Sequence, residues 1–224
     1  ELMDDAEQAA AYAAADFEAS NSLFVDLFRD RFPEFPGSGA ILDLGCGPGD
    51  IALRLASAYP GCVVHGLDGA GEMLTLARAA AERAGPAGER VRFIQGLVPG
   101  AVLPRLRYDA IVSNSLLHHL PDPVTLWESV LHLGAPGAAV QVMDLSRPDD
   151  EDGARRLVDQ YAADAPAILR EDFYNSLLAA RTLKLTVRRD QPMHWVNFPV
   201  VDTAGRDLAL VFETMETPQS EVRF

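Results

Sequence analysis

The chain has 224 residues, of which 33 are acidic and 19 are Lys or Arg, so its formal net charge is −14. This length suits a single domain that can bury a substantial core. The acidity, with no basic run, argues against nucleic acid as a partner, because proteins that track phosphates usually present a basic face.

The elements follow one another in an alternating pattern. A helical region is predicted over residues 5–32, with a break near Ser20 and Asn21, and Pro33 ends it. Short apolar runs then predict strands at Ala40–Leu44, Cys62–Leu67, Val91–Gln95, Tyr108–Ser113 and Ala139–Leu145, and strand-like segments at Leu183–Arg189, Met193–Phe198 and Leu208–Glu213. Helices are predicted at Ile51–Tyr59, at Gly71–Ala84, after Asp122-Pro123 and over residues 150–180. Apolar strands that alternate with helices indicate a parallel sheet covered on both faces.

A glycine-rich turn follows the first strand, in the segment Asp43-Leu44-Gly45-Cys46-Gly47-Pro48-Gly49. Glycines at alternate positions let the backbone turn sharply and come close to a ligand. The segment resembles the glycine-rich motif of class I S-adenosylmethionine (SAM)-dependent methyltransferases, which is an acid, any residue, then Gly-x-Gly-x-Gly. In the dinucleotide fingerprint the third glycine comes one residue later. An acid before the loop also suits the ammonium end of SAM better than it suits NAD.

A second resemblance lies after the fourth strand, in the segment from Asn114 to Pro123. It resembles the corresponding motif of small-molecule methyltransferases of the ubiquinone/menaquinone-biosynthesis type. The resemblance implies a Rossmann-like three-layer sandwich with a mostly parallel seven-stranded sheet and an antiparallel strand near one edge, usually the seventh. It also implies SAM as cofactor, S-adenosylhomocysteine (SAH) as product and a small-molecule substrate.

The resemblance places the cofactor along the ends of the first four strands. Asp68, at the end of the second strand, is expected to take the ribose hydroxyls. Gln95, Gly96 and Leu97 would hold the adenine, Asn114 would face the methionine half, and Tyr12 would reach its carboxylate from a lid helix. The full set expected to bind the cofactor is Tyr12, Asp43, Gly45, Cys46, Gly47, Gly49, Asp68, Gly69, Met73, Gln95, Gly96, Leu97, Asn114 and Ser115.

His118 and His119 are the candidates for a catalytic base. Methyl transfer from a sulfonium is an in-line displacement that mainly needs positioning, and a base helps only if the acceptor must lose a proton. Histidine titrates near neutral pH. Since neighbouring residues at a helix start point in different directions, we expect only one of the two to face the cleft. No third ligand at suitable spacing accompanies them, so a metal site is not predicted.

The substrate-binding candidates are Asp144 and Arg147, after the fifth strand, with Tyr174 and Asn175 on a helix over the cleft. The whole chain is expected to form one methyltransferase domain, with lid helices in residues 1–36, a SAM-binding core in 40–147, and substrate-side helices and closing strands in 148–224. The resemblance weakens after Ala180, where the last helix-to-strand crossover is short unless residues 166–180 themselves supply it.

Four functions remain open: a small-molecule methyltransferase, which the motifs favour, a protein or RNA methyltransferase, a non-catalytic SAM-binding module, and a nicotinamide dehydrogenase. Cys46 and Cys62 form neither a disulfide framework nor a metal-type spacing. Together with the absence of a long apolar run and of a basic signal-peptide region, this predicts a cytoplasmic protein with no membrane partner. A homodimer is left open.

Overall fold

A central parallel sheet organises the fold. The computed structural model describes residues 2–180 in full and the backbone of residues 195–201 and 207–215. Five strands pair side by side in the order β3-β2-β1-β4-β5, all parallel. They are β1 (Ser38–Leu44), β2 (Gly61–Asp68), β3 (Val91–Gln95), β4 (Tyr108–Asn114) and β5 (Gly134–Leu145).

Seven helices accompany the sheet in the described residues, and most of them lie where the alternating pattern predicts them. They are α1 (Ala6–Ala14), α2 (Glu18–Arg31), α3 (Asp50–Ala58), α4 (Gly71–Arg83), α5 (Val124–Leu133), α6 (Glu151–Tyr161) and α7 (Ala167–Ala179). The expected break in the first helical region falls earlier, between α1 and α2, where the Asp16 carboxylate accepts the Glu18 N–H. None of the described helices is long and apolar enough to cross a membrane.

The strands bury both of their faces. Along β1, Ile41 packs with Phe24 and Phe28 of α2 on one face, whereas Leu42 packs with Leu126 of α5 on the other. Neighbouring residues of a strand point to opposite faces, so a continuous apolar run serves two helical layers at once. Full burial of each such side chain stabilises the fold by about 1.5–3 kcal/mol. The result is the three-layer Rossmann-like arrangement that the alternating pattern predicts.

The last two strands correct one expectation. β7 (Asp207–Met215) pairs parallel with β5, and β6 (Trp195–Val201) pairs antiparallel with β7 at the edge of the sheet. The antiparallel strand is therefore β6 and not the seventh strand. The short segment 202–206 between them suits antiparallel neighbours, since a parallel pair needs a long crossover. The predicted strand Leu183–Arg189 lies outside the described residues.

Candidate active site

One large cavity lies at the carboxyl ends of the parallel strands, where open α/β sheets bind ligands. Its volume is about 1150 Å³, above the usual 300–1,000 Å³ for one small-molecule site. The walls come from the turns after β1, β2, β3, β4 and β5 and from α1, α6 and α7. A space of this size can hold a nucleoside cofactor and a second small molecule together.

The glycine-rich turn forms one wall, and its backbone geometry depends on glycine. The Gly45 and Cys46 N–H groups donate to the Leu67 carbonyl, which fastens the turn to the end of β2. Gly49 caps the start of α3 with φ of 87°, and a Cβ there would lie 2.5 Å from the ring of Phe93. Gly45 and Gly47 line the cavity, whereas Cys46 and Gly49 are buried behind it. The turn thus presents backbone to the cavity because side chains are absent at these points.

Asp68 stands beside the turn at the end of β2 and lines the cavity. One carboxylate oxygen accepts the Gly47 N–H and the other accepts the Ala70 N–H, both at 2.8 Å. A carboxylate offers about four acceptor positions, so this side chain keeps capacity for ligand hydroxyls while it holds the loop. Burial raises its pKa, and the two N–H donors oppose that effect.

Asp43 lies under the glycine-rich turn and is only 2% exposed. Within the described part of the chain, its Oδ2 atom has no hydrogen-bond partner. Burial, with the nearby Asp68 charge, raises its pKa to about 7. Asp43 was expected to bind the cofactor, but it does not line the cavity.

The predicted cofactor residues beyond the turn divide into two groups. Those that line the cavity are Tyr12, Gly69, Met73, Gly96, Leu97, Asn114 and Ser115. Gln95 does not line it; the side chain is exposed and its amide donates to the Gly69 carbonyl at 3.3 Å. Ser115 has a positive φ of 57°, rare for a residue with a side chain, and its N–H donates to the Met143 carbonyl.

Both histidines line the cavity, although we expected only one to face it. They lie at the end of a short 3-10 turn, Leu117–His119, and their ring centroids are 4.1 Å apart. His118 Nδ1 is 2.6 Å from an Asp144 carboxylate oxygen. Burial and the neighbouring His118 lower the pKa of His119 to about 4. The two rings therefore have different chemical surroundings despite their adjacency.

Of the four predicted substrate residues, two line the cavity and two do not. Arg147 and Asn175 line the cavity and are exposed, whereas Asp144 and Tyr174 do not line it. The Tyr174 hydroxyl instead lies at the surface, within 3.3 Å of Arg155 and Glu151. Asp144 lies behind His118, with a side chain 4% exposed.

Sequence reasoning missed a contact that closes the cavity from above. Gln8 of α1 donates to a carboxylate oxygen of Asp172 of α7 at 2.8 Å, and both residues line the cavity. The two residues are 164 positions apart, so no local pattern could pair them. In the described part of the chain, no group of three or more His, Cys, Asp and Glu could hold a metal ion.

Comparison with known proteins agrees with this geometry. Residues 41–138 match the family described as a methyltransferase domain. Trans-aconitate 2-methyltransferase of Streptomyces avermitilis is 40% identical over 123 residues, which are 52% of this chain and 43% of that protein. Ubiquinone biosynthesis O-methyltransferase of Serratia proteamaculans is 35% identical over 108 residues, 48% of this chain and 43% of that protein.

Solved structures show the same fold. The plantazolicin methyltransferase BpumL, in complex with SAH, superposes with a TM-score of 0.51 at 16% identity, over 80% of this chain and 71% of that one. Residues 41–138 are thus similar to a methyltransferase domain, and the chain shares the fold of a methyltransferase solved with SAH. It spans about half the length of the curated relatives it matches, between 43% and 56% for those with at least 30% identity.

Proposed function

We propose that this chain transfers a methyl group from SAM to a small-molecule acceptor by in-line displacement, with SAH as the product. The observation that carries the proposal is the single cavity of about 1150 Å³, which joins the glycine-rich turn and Asp68 to the two histidines. When bound, SAM supplies a methyl group already activated on a sulfonium.

The residues at the turn suit such a cofactor. Asp68 has acceptor positions left for ribose hydroxyls after it takes two backbone N–H groups. Gly96 and Leu97 offer a flat apolar edge for the adenine, and Asn114 and Tyr12 offer polar groups for the amino-acid end. Asp68 and, above its pKa of about 7, Asp43 place negative potential beside the turn, which favours a cationic ligand. NAD, with its two phosphates, would meet the same carboxylates unfavourably.

The other end of the cavity suits an acceptor. Arg147 and Asn175 supply polar contacts there, while Leu157 and Phe173 supply apolar surface. An activated methyl needs only a correctly placed nucleophile, so positioning by these walls supplies most of the catalysis. One relative, trans-aconitate 2-methyltransferase, is named for a small acceptor, and another is named for ubiquinone biosynthesis. A cytoplasmic location and a homodimer stay predictions.

Calorimetry on Asp68→Asn tests the cofactor assignment. Loss of a charge-assisted hydrogen bond costs about 1.5–3 kcal/mol, so we expect SAM affinity to fall about 10–100-fold. Asp109→Asn is the matched control, because Asp109 also accepts a backbone N–H, from Ala40, but at the opposite end of the sheet. That variant should bind SAM like the wild type. NADH should bind neither to the wild type nor to either variant. Equal SAM affinity in both variants would remove Asp68 from the site.

Turnover separates an enzyme from a binding module. We expect SAH to accumulate when the protein, SAM and a panel of small metabolites are incubated together. SAM binding without SAH formation across the panel would favour a non-catalytic module.

A further inference from the structure

Helix α1 lies along the cofactor end of the cavity. Its buried Ala9 packs in a small hydrophobic cluster with Ala70 and Met73, at the start of α4. Tyr12 of α1 packs against the same cluster, and both Tyr12 and Met73 line the cavity. A molecule at the cofactor end therefore meets surfaces of both helices, and the position of α1 depends on what occupies that end.

The segment that leads into α1 caps α4. Ala70 occupies the N-cap position of α4, and its side chain has no atom that accepts a backbone N–H. Asp4 supplies the acceptor instead, because one of its carboxylate oxygens lies 3.2 Å from the Glu72 N–H donor, although the two residues are 68 positions apart. Side-chain oxygens at this position satisfy the unpaired N–H groups of a helix start. Asp4 thus fastens the beginning of α1 to the cofactor end.

A polar bridge joins α1 to α7. Gln8 Nε2 donates to a carboxylate oxygen of Asp172 at 2.8 Å, and both side chains are partly buried. A partly buried polar group is costly to leave without its partner, so the bond resists separation of the two helices. Leu177 of α7 packs with Val158 of α6, in a hydrophobic cluster distinct from the one that holds α1. The bridge thus connects a helix anchored at the cofactor end to one anchored at the acceptor end.

Helix α7 supplies part of the acceptor wall. Phe173 and Asn175 both line the cavity, and they follow Asp172 within one turn of the helix. Backbone hydrogen bonds along a helix make it a stiff unit. A contact that fixes Asp172 against α1 therefore also fixes the side chains that an acceptor meets.

We propose that Gln8 and Asp172 are positioning residues that couple the two ends of the cavity, so that SAM at the cofactor end holds α1, and α1 in turn holds α7 and the acceptor wall. The inference rests on the proposed methyl transfer, because SAM is the occupant. A ligand shifts an equilibrium only by binding one arrangement more tightly, and SAM binds more tightly when α1 covers it. By reciprocity, an acceptor held by α7 raises the affinity for SAM by the same factor. The acceptor wall is therefore complete only after SAM has bound.

Hydrogen exchange of the intact protein, with and without saturating SAH, tests the coupling without any acceptor. In the wild type we expect SAH to slow exchange in α1 (Ala6–Ala14) and, by about tenfold, in α7 (Ala167–Ala179), a factor typical of coupled sites. Gln8→Leu removes the donor, so the protection of α7 should be lost while that of α1 remains. Glu7→Leu, the same new side chain at the neighbouring exposed position, is the matched control and should behave like the wild type.

Substitutions at Asp172 test whether the hydrogen bond itself carries the coupling. Asp172→Asn keeps an oxygen that accepts from Gln8 and should retain the protection of α7, whereas Asp172→Leu should lose it. In the double variant Gln8→Leu/Asp172→Leu, the loss should equal that of either single variant, since all three break the same bond. Losses that add in the double variant would contradict the coupling. If Gln8→Leu does not fold, the two Asp172 variants decide between these results.

Calorimetry with SAM and SAH on the same proteins keeps the two proposals apart. Failure of the wild type to bind either molecule would remove the proposed function itself. Binding of SAH without protection of α7 in the wild type would leave the cofactor site standing and refute this inference. Equal protection of α7 in the wild type and in Gln8→Leu would refute it too, because that result indicates direct contact between SAH and α7 in place of coupling through α1.

Discussion

The two ends of the cavity are built by different means. The cofactor end consists of backbone turns at the ends of β1 and β2, fixed by Asp68 and by hydrogen bonds to the Leu67 carbonyl. The acceptor end consists of side chains from α6, α7 and the end of β5, such as Leu157 and Phe173. Backbone geometry accepts few substitutions, whereas side chains on helices can change without disturbing the chain path. The comparison shows how one fold can keep a common cofactor and vary its acceptor.

The cofactor end also holds a buried carboxyl, Asp43, close to a ligand site, whereas Arg147 at the acceptor end is exposed. Asp43 is 2% exposed, and Arg147 is exposed to solvent. Buried groups have strongly perturbed pKa values and exposed ones are screened. Substitutions at the cofactor end should therefore affect stability and SAM affinity more than those at the acceptor end. Three predictions test the cofactor end, each against a control away from the cavity.

The largest expected effect concerns Asp43. Its pKa rises from about 3.8 to about 7 on folding, so the folded protein holds a proton between these values that the unfolded chain has released. Its stabilising contribution is fully present below pH 4 and is lost as the pH rises to 7, on the order of 4 kcal/mol. Asp43→Asn should remove this contribution to the pH dependence of the free energy of unfolding.

Urea denaturation at pH 4.5 and pH 8 measures the difference. We expect Asp43→Asn to gain stability relative to the wild type at pH 8. The Asp109→Asn control should show the same change in the free energy of unfolding between the two pH values as the wild type. If Asp43→Asn also kept it, Asp43 would be ionised in the folded protein at all these pH values.

A smaller effect is expected at Gly49, where an added Cβ would lie 2.5 Å from the Phe93 ring. Gly49→Ala combines a left-handed backbone conformation with overpacking, for a loss of about 3 kcal/mol in the free energy of unfolding. Gly85→Ala is the matched control, because its φ is also positive, at 57°, yet nothing lies within 4 Å of the added Cβ. That variant should lose only about 1 kcal/mol. Equal losses would show that backbone strain alone matters at the turn.

The smallest effect is expected at Tyr12 on the α1 side of the cofactor end. Burial and the charge of Asp68 raise its pKa to about 12, so the hydroxyl stays protonated and able to donate. Tyr12→Phe should lower SAM affinity about fivefold, the value of one net hydrogen bond. Tyr59→Phe removes the same group from a ring that packs edge-on against Phe28 and Phe35, away from the cavity, and should leave the affinity unchanged. Calorimetric titration with SAM distinguishes these results.

Local signals in the sequence predicted the parallel strands well. The apolar runs predicted β1 to β5 with errors of a few residues at their ends, because burial on both faces leaves a continuous hydrophobic stretch. The largest error is at β5, which starts at Gly134 and not at the predicted Ala139. The backbone of Pro136 and Gly137 adapts to the irregular pairing of β5 with β4 there.

The acceptor end was less predictable from the sequence. Tyr174 and Asn175 are neighbours on α7, yet only Asn175 lines the cavity, since the helix face that is buried depends on what α7 packs against. His118 and Asp144 were both chosen as site residues, but as a base and a substrate contact. Their hydrogen bond joins residues 26 positions apart, across the ends of two strands.

The sequence by itself determined the elements, the three-layer architecture, the glycine-rich turn and the position of Asp68, because each depends on residues within a few positions of one another. Only the tertiary structure decided which carboxylate pairs with which histidine, that α1 and α7 meet over the cavity through Gln8 and Asp172, and that β6 is the antiparallel strand. These contacts arise from packing between distant segments, and the energy of such packing depends on the whole fold rather than on local pattern.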